Sequence, residues 1–164
     1  GNPKIKSRLV NAILNSSKSS WYFYKLRTMC NKLPYVDYSG FSGSSYIHKD
    51  YPSYISSYKA AIAASTYYMV IKYLEISAAG CLTFMEVSDK NQDATKLGFK
   101  DYENAIFIDE HNYKKRFEEF LSNPGDPQWE NIANKGREHT MKNLNNDKAV
   151  ESLIDLMKEV LRDY

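Results

Sequence analysis

Cysteine and histidine are scarce in this sequence of 164 residues. Cys30 and Cys81 form no C-x-x-C pair and stand in no cluster with histidine, so reduced core thiols are expected rather than a disulfide framework or a zinc site. His48, His111 and His139 lack the spacing of metal ligands, and each is expected to be exposed or structural. We therefore expect no metal and no cofactor.

Long apolar runs and strong net charge are also missing. No run reaches the roughly 18 apolar residues that span a bilayer, and no signal peptide is present, so a cytoplasmic protein without a transmembrane segment is expected.

The net charge of +2 is too small to indicate nucleic-acid binding. Acidic residues are absent before Asp37, although seven basic ones occur there. This local charge could attract a phosphorylated ligand, or it could be a solvated face or one that meets another domain.

Strand and helix patterns alternate along the first two thirds of the chain. Short apolar runs predict strands at 9–14, 35–38, 60–63, 81–85 and 105–108. Helical spacing predicts a helix carrying Tyr22, Leu26, Met29, Cys30 and Leu33 that Pro34 stops, and short helices at 52–58 and 70–79. Alternation of this kind is typical of a parallel, doubly wound sheet, so we expect one α/β domain over 1–164, a Rossmann-like sheet flanked by helices.

The end of the chain is predicted to be helical. Gly80 suits the cap of the helix at 70–79, and Asp126-Pro127 suits the start of a later one. Three helices are expected after residue 112, all packed on the sheet. Their apolar stripes are interpreted as core: Tyr113, Phe117, Phe120 and Leu121; Trp129, Ile132, Ala133 and Gly136; Val150, Leu153, Ile154, Met157 and Leu161.

Two places are candidate ligand sites. The loop at 15–20 offers backbone N–H groups, serine hydroxyls including that of Ser17, and the charge of Lys18, which together could hold a phosphate. The helix start at Lys72 offers a positive dipole, and Glu75 one turn in could accept hydrogen bonds from a ribose diol. The alternatives are an ordinary solvated loop and a glutamate that merely favours the helix dipole. No Gly-rich phosphate loop or nucleophile elbow is present.

Four segments in order resemble the group 1 glycosyltransferases, most closely the branch of spore-maturation-type proteins. Residues 70–82, VIKYLEISAAGCL, are similar to the donor-site helix of that family and the strand after it. Residues 97–106, LGFKDYENAI, are similar to its "LGF-x-(D/E)-x-EN" segment. Asn123-Pro124 and the IANKGR of 132–137 follow at the family's spacing, so the resemblance covers roughly residues 58–160.

The resemblance implies the C-terminal, donor-binding half of a GT-B fold, which holds a nucleotide-diphosphate sugar as substrate. It implies that Glu75 binds the ribose, and that Lys72 and the turn of Tyr67, Tyr68 and Met69 face the diphosphate. By position in the family, Ser17 and Lys18 would contact phosphate, and Gly40 and Phe41 would lie in the nucleobase loop. It assigns no catalytic residue.

The sequence departs from the family pattern in one position that matters. Many members carry another glutamate before this one, separated from it by seven residues, and Tyr67 stands at that position, which leaves the retaining or inverting outcome open. The acceptor glycan is expected to be held by a missing N-terminal domain or a partner chain. The alternative is a non-catalytic α/β binding or interaction module. A receiver domain would need acidic residues after its first strand, where Asn15-Ser16-Ser17 supplies none.

Overall fold

A parallel sheet forms the centre of the molecule. The computed structural model describes residues 20–38 and 51–162. Within them the strands are β1 (Ala60–Ala63), β2 (Leu82–Glu86) and β3 (Ile106–Ile108), adjacent in that order and all parallel. Ala63 pairs with Met85, and Met85 with Phe107. Every residue of β2 is buried, as expected for a central strand covered on both faces. The predicted α/β class and parallel sheet are confirmed.

Helices surround the sheet and connect its strands. α1 (Ser20–Phe23), α2 (Lys25–Cys30) and α3 (Tyr51–Ser56) precede β1. α4 (Lys72–Ala78) lies between β1 and β2, and α5 (Asp93–Lys96) lies between β2 and β3. Parallel neighbours need such crossover connections, because a hairpin turn cannot join them. α6 (Tyr113–Ser122), α7 (Pro127–Asn143) and α8 (Asn146–Arg162) follow β3.

Two apolar clusters lie on the two faces of the sheet, because side chains alternate along β2. Leu82 and Phe84 belong to the first cluster, which also takes in residues of α2, α6 and α7: Leu26, Cys30, Phe117, Trp129 and Ile132. Met85 belongs to the second, which takes in residues of α3, α4 and the connection after β2: Ile55, Tyr73, Ile76, Ala94 and Phe99. Helices therefore cover both faces.

Most predicted elements are present, with shifted ends. The strands at 60–63, 81–85 and 105–108 agree with the structure to within one residue. The predicted helix of 70–79 begins two residues later, at Lys72. The first amphipathic helix is broken at Tyr24 and ends at Cys30, short of Leu33. The strand predicted at 9–14 lies outside the described residues.

The predicted strand at 35–38 is wrong. After α2 the chain turns, with N–H groups of Leu33 and Val36 bonded to the carbonyls of Cys30 and Leu33 at 3.0 and 3.2 Å. Tyr35 and Tyr38 are exposed by 43% and 48%. The two tyrosines whose spacing suggested a strand face solvent. A short alternating pattern does not establish that a neighbouring strand is present to pair with it.

The apolar stripe of α8 is exposed, so its interpretation as core is wrong. Val150, Leu153, Ile154, Met157 and Leu161 are exposed by 45% to 73%, and no residue of α8 is buried. α6 and α7 do pack against β3 and β2, so the predicted packing of three helices on the sheet holds for these two. Amphipathic spacing shows that a helix has an apolar face and leaves open what covers it.

Two helix caps are present where the sequence predicts them. Gly80 has φ of +82°, and Cys81 N–H donates to the Ile76 carbonyl at 3.3 Å, which is the Schellman ending that glycine favours. Asp126 caps α7 by accepting the Gln128 N–H at 2.9 Å, with Pro127 in the first turn. None of the described helices is long and apolar enough to cross a membrane.

Candidate functional site at the carboxyl edge of the sheet

Polar residues gather where the parallel strands end. Ser65 and Thr66 follow β1, Glu86 is the last residue of β2, and Glu110 comes two residues after β3. The first three are buried, whereas the sheet faces beneath them are apolar. In open α/β sheets this edge is where ligands bind, because the strand ends and the starts of the crossover helices meet there.

Glu75 and Lys72 lie together in the first turn of α4, the helix that begins at this edge. Their side chains are 37% and 43% exposed, and Lys72 Nζ lies 2.9 Å from Glu75 Oε2, close enough for an ion pair but not aligned as a hydrogen bond. Lys72 Nζ also lies 3.6 Å from the centre of the Tyr51 ring. Burial alone would lower the pKa of Lys72, but the contacts with Tyr51 and Glu75 outweigh it and raise that pKa, so the side chain stays charged.

The turn expected to face the diphosphate is largely occupied by contacts within the protein. The Tyr67 ring lies 5.9 Å from that of Tyr22 and 5.8 Å from that of Phe23. Tyr68 is 54% exposed, with its ring 4.8 Å from Phe23. Met69 N–H donates to Asp93 Oδ2 at 3.0 Å. A diphosphate would have to displace Asp93 to use that N–H group.

Glu86 is the most unusual residue of this edge. It is 3% exposed, and none of the residues that the structure describes forms a hydrogen bond with its Oε2. Burial, with the nearby charge of Glu110, raises the pKa of Glu86 to about 7, and the backbone amide of Ser65 offsets this only in part. Glu110 in turn pairs with Lys25 of α2, and among the described residues no basic side chain pairs with Glu86.

Ser65 and its neighbours tie three elements together around Glu86. Ser65 is fully buried and its Oγ has no partner, while its carbonyl accepts the Asn91 amide at 2.7 Å. Tyr73 of α4 donates its hydroxyl to the Glu86 carbonyl at 3.1 Å. The hydroxyl and N–H of Thr66 bond the carbonyls of Tyr22 and Phe23, both at 3.0 Å, so α1 is fastened over the end of β1.

Sequence reasoning missed Glu86 and Ser65. One signal was available: Glu86 continues an apolar run, 81–85, at the end where a parallel strand meets its ligands. The predicted phosphate-contacting residues Ser17 and Lys18, and the predicted nucleobase-loop residues Gly40 and Phe41, lie outside the described residues. Glu75, Lys72, Tyr67, Tyr68 and Met69 all follow β1 within residues 67–75.

Histidine supplies no metal site in the described part of the chain. No group of three or more histidine, cysteine, aspartate or glutamate residues is placed there to hold an ion. His139 bonds the Leu97 carbonyl at 2.8 Å, and His111 is exposed with its N–H bonded to Asp109.

A groove of about 240 Å³ lies at the opposite, amino edge of the sheet. Lys59, Gly80 and Trp129 are among the residues that line it, and it contains none of the predicted site residues.

No family model, curated protein or solved structure matches the chain.

Proposed function

We propose that this chain binds a nucleotide-diphosphate sugar, as the donor-binding half of a GT-B glycosyltransferase. The observation that carries the proposal is the order of four sequence segments similar to the group 1 glycosyltransferases. The first of them, residues 70–82, covers α4 and ends at the first residue of β2, with Glu75 in the first turn of that helix. A carboxylate at this position is suited to accept hydrogen bonds from a ribose diol.

The ion pair of Lys72 and Glu75 is compatible with that role. Both side chains are partly exposed, so each can turn toward a ligand without unfolding α4. Exposed ion pairs contribute little stability, about 0–1 kcal/mol, and a diphosphate offers Lys72 a stronger partner. In the bound state we expect Glu75 to hold the ribose and Lys72 to hold phosphate oxygens.

The exposed stripe of α8 supports the proposal that a second domain or chain takes part. Large exposed apolar faces are unusual on single soluble domains and mark interaction sites. Five residues of the stripe are at least 45% exposed, which offers an apolar surface for a domain that holds the acceptor. Transfer would then take place between the two, because acceptor and donor must be aligned and water excluded.

The alternative is an α/β binding or interaction module that has the fold without the chemistry. Tyr67 favours it, because the family's additional glutamate would stand at this position and the Tyr67 ring packs against Tyr22 and Phe23 instead. Such a module would bind a protein or another ligand and need no nucleotide.

Thermal unfolding with and without nucleotides tests the proposal. The probes are UDP, GDP and ADP, the sugar conjugates of each, and inorganic pyrophosphate as the control. A nucleotide at 100 times its dissociation constant should add about 2.7 kcal/mol to the free energy of unfolding. Stabilisation by pyrophosphate to the same degree would indicate an unspecific anion site. No response to any nucleotide would contradict the proposal and favour the interaction module.

A further inference from the structure

Two buried polar side-chain atoms without partners lie at the ends of neighbouring strands. They are Oε2 of Glu86, at the end of β2, and Oγ of Ser65, just after β1. The residues are 3% and 0% exposed. The pairing of Ala63 with Met85 brings the chain beyond both strands close together, and the Ser65 amide lies near the Glu86 carboxyl.

An unpartnered carboxyl oxygen in this position calls for an explanation. Buried polar groups in native proteins are nearly always hydrogen-bonded, since leaving one unpaired destabilises the fold. Glutamate is almost never fully buried unless it is paired. At the strand end of a parallel sheet, a bound ligand is the natural partner.

The surroundings restrict the chemistry of that ligand. Glu110 lies near Glu86, so a second anion such as phosphate would be repelled. The described residues hold no group of three ligands for a metal ion. An apolar group would leave both oxygens unpaired. A neutral hydroxyl group fits, because it donates to a carboxylate and can exchange donor and acceptor roles with serine.

We propose that Glu86 and Ser65 hydrogen-bond hydroxyl groups of the sugar carried by the nucleotide, and so decide which sugar is accepted. This inference rests on the proposed donor-binding function and assigns the sugar contact within it. Glu75, in the first turn of α4, would hold the ribose, while the strand ends hold the sugar. Two oxygens that accept hydrogen bonds recognise hydroxyl positions more sharply than an apolar pocket, because the wrong sugar leaves them unpaired.

The Lys25–Glu110 pair marks the side from which the sugar would approach. Its side chains are 30% and 36% exposed, and its Glu110 lies near the buried Glu86. Lys25 belongs to α2, which follows the helix that Thr66 fastens to β1.

The inference is tested by comparing nucleoside diphosphates with nucleotide sugars on the purified chain. Isothermal titration gives the dissociation constants of UDP, UDP-glucose, UDP-N-acetylglucosamine, GDP and GDP-mannose for wild type, Glu86→Gln and Ser65→Ala. We expect one sugar conjugate to bind wild type more tightly than its diphosphate. Each substitution should reduce that gain by about fivefold to tenfold while affinity for the diphosphate stays within about twofold. Glu118→Gln, an exposed glutamate of α6, is the matched control and should change neither constant.

The outcomes separate this inference from the function on which it rests. If wild type binds a diphosphate and its sugar conjugate equally, or if both variants retain the full gain, the sugar contact is wrong and nucleotide binding stands. If wild type binds no nucleotide at all, the proposed function fails and takes this inference with it.

A second measurement needs no variant and covers the case in which Glu86→Gln fails to fold. A hydroxyl that donates to the Glu86 carboxylate favours its charged form, so binding should release a proton near pH 7. Titration of wild type in two buffers of different ionisation enthalpy measures that proton. We expect release with the sugar conjugate and none with the diphosphate. Equal proton exchange for both would overturn the assignment.

Discussion

Glu75 and Glu86 are eleven positions apart in sequence and have opposite surroundings. Glu75 is partly exposed and paired with Lys72, so its charge is stabilised by a partner and by water. Glu86 is buried beside Glu110, and its pKa is raised to about 7. The two carboxyls therefore suit different tasks: Glu75 can reach a ligand from a partly exposed position, whereas Glu86 is a buried group that can exchange a proton near pH 7.

Glu75→Gln should weaken binding of the preferred nucleotide by about tenfold or more. The amide keeps the shape and loses the charge, and a hydrogen bond to a charged group contributes roughly 1.5–3 kcal/mol. The free energy of unfolding should change by less than about 1 kcal/mol, because only a surface ion pair is lost. Titration beside a thermal melt measures both quantities.

Glu103→Gln is the control for that experiment. Glu103 pairs with Lys100 at 3.2 Å with the same three-residue spacing, and both are exposed. It should alter neither affinity nor stability. A Glu75→Gln protein with a lower melting temperature and unchanged affinity would show that Glu75 is structural.

Glu86 should make stability fall as pH rises between about 4.5 and 7. Its pKa is about 7 in the folded chain against an ordinary 4.5, so the folded state holds a proton that the unfolded state has released. The free energy of unfolding therefore declines across this window, by roughly 3 kcal/mol from this group, and is flat with respect to it above the window.

Urea unfolding of wild type and Glu86→Gln from pH 4 to pH 8 checks this expectation. The glutamine stays neutral, so the variant should gain stability relative to wild type as pH rises, and the two should differ little at pH 4. All other ionisable groups are common to both proteins, so their contributions cancel in the difference. Parallel pH profiles would contradict a raised pKa.

At the scale of elements, the contact of α4 with α7 explains part of the sequence pattern. Gly136 of α7 lies so close to the end of the LGFKDYENAI segment that a Cβ there would stand 2.4 Å from the Asn104 carbonyl oxygen and 3.0 Å from Ser77 Oγ. Thr140, one turn on, donates to Ser77 Oγ at 3.1 Å. Asn104 itself accepts the Lys100 N–H at 2.7 Å. These contacts hold α4, α7 and the segment before β3 together.

Gly136→Ala should therefore destabilise the fold by about 1–3 kcal/mol. Alanine favours a helix over glycine by about 1 kcal/mol, but a backbone carbonyl cannot move aside as a flexible side chain can, so overpacking outweighs propensity. Chemical denaturation measures the change. Gly125→Ala is the control, since its Cβ would meet nothing nearer than Asn123 Oδ1 at 3.9 Å. Equal stability of the two variants would show that α7 can shift away from Asn104.

At the scale of the whole molecule, the described chain has polar residues at the carboxyl edge of its sheet and an exposed apolar face on α8. A donor-binding half holds the activated sugar but cannot align an acceptor with it. The exposed stripe of α8 is where the described structure leaves apolar surface for another domain. We therefore expect this chain to bind a nucleotide sugar without catalysing its transfer.

The purified chain should bind a nucleotide sugar and transfer none of it at an enzymatic rate. Transfer needs closure around donor and acceptor, which excludes water and fixes the reacting atoms. Release of UDP or GDP from the preferred conjugate, followed over hours with a panel of glycan acceptors, should stay at the rate without protein. Robust turnover by the chain alone would show that it needs no second half.

Local sequence patterns predicted the fold correctly where the structure depends mainly on residues that are close together in sequence. The apolar runs at 60–63, 81–85 and 105–108 became strands, and Gly80 and Asp126 became caps, because backbone preferences and capping bonds involve only near neighbours in sequence. The run at 35–38 and the stripe of α8 failed, since pairing and burial depend on what lies opposite. Of the candidate site, sequence alone supplied Glu75 and its neighbours and missed Glu86 and Ser65.

The sequence by itself determined an α/β chain with parallel strands and the place of α4 directly after the strand at 60–63. Only the tertiary structure decided that Glu86 is buried beside Glu110, that Lys25 reaches Glu110 across 85 residues, and that Gly136 touches Asn104. The reason is physical. Elements far away in sequence determine how deeply a residue is buried, which charges lie near it and how much space surrounds its Cβ, and these three properties determine its pKa and its packing.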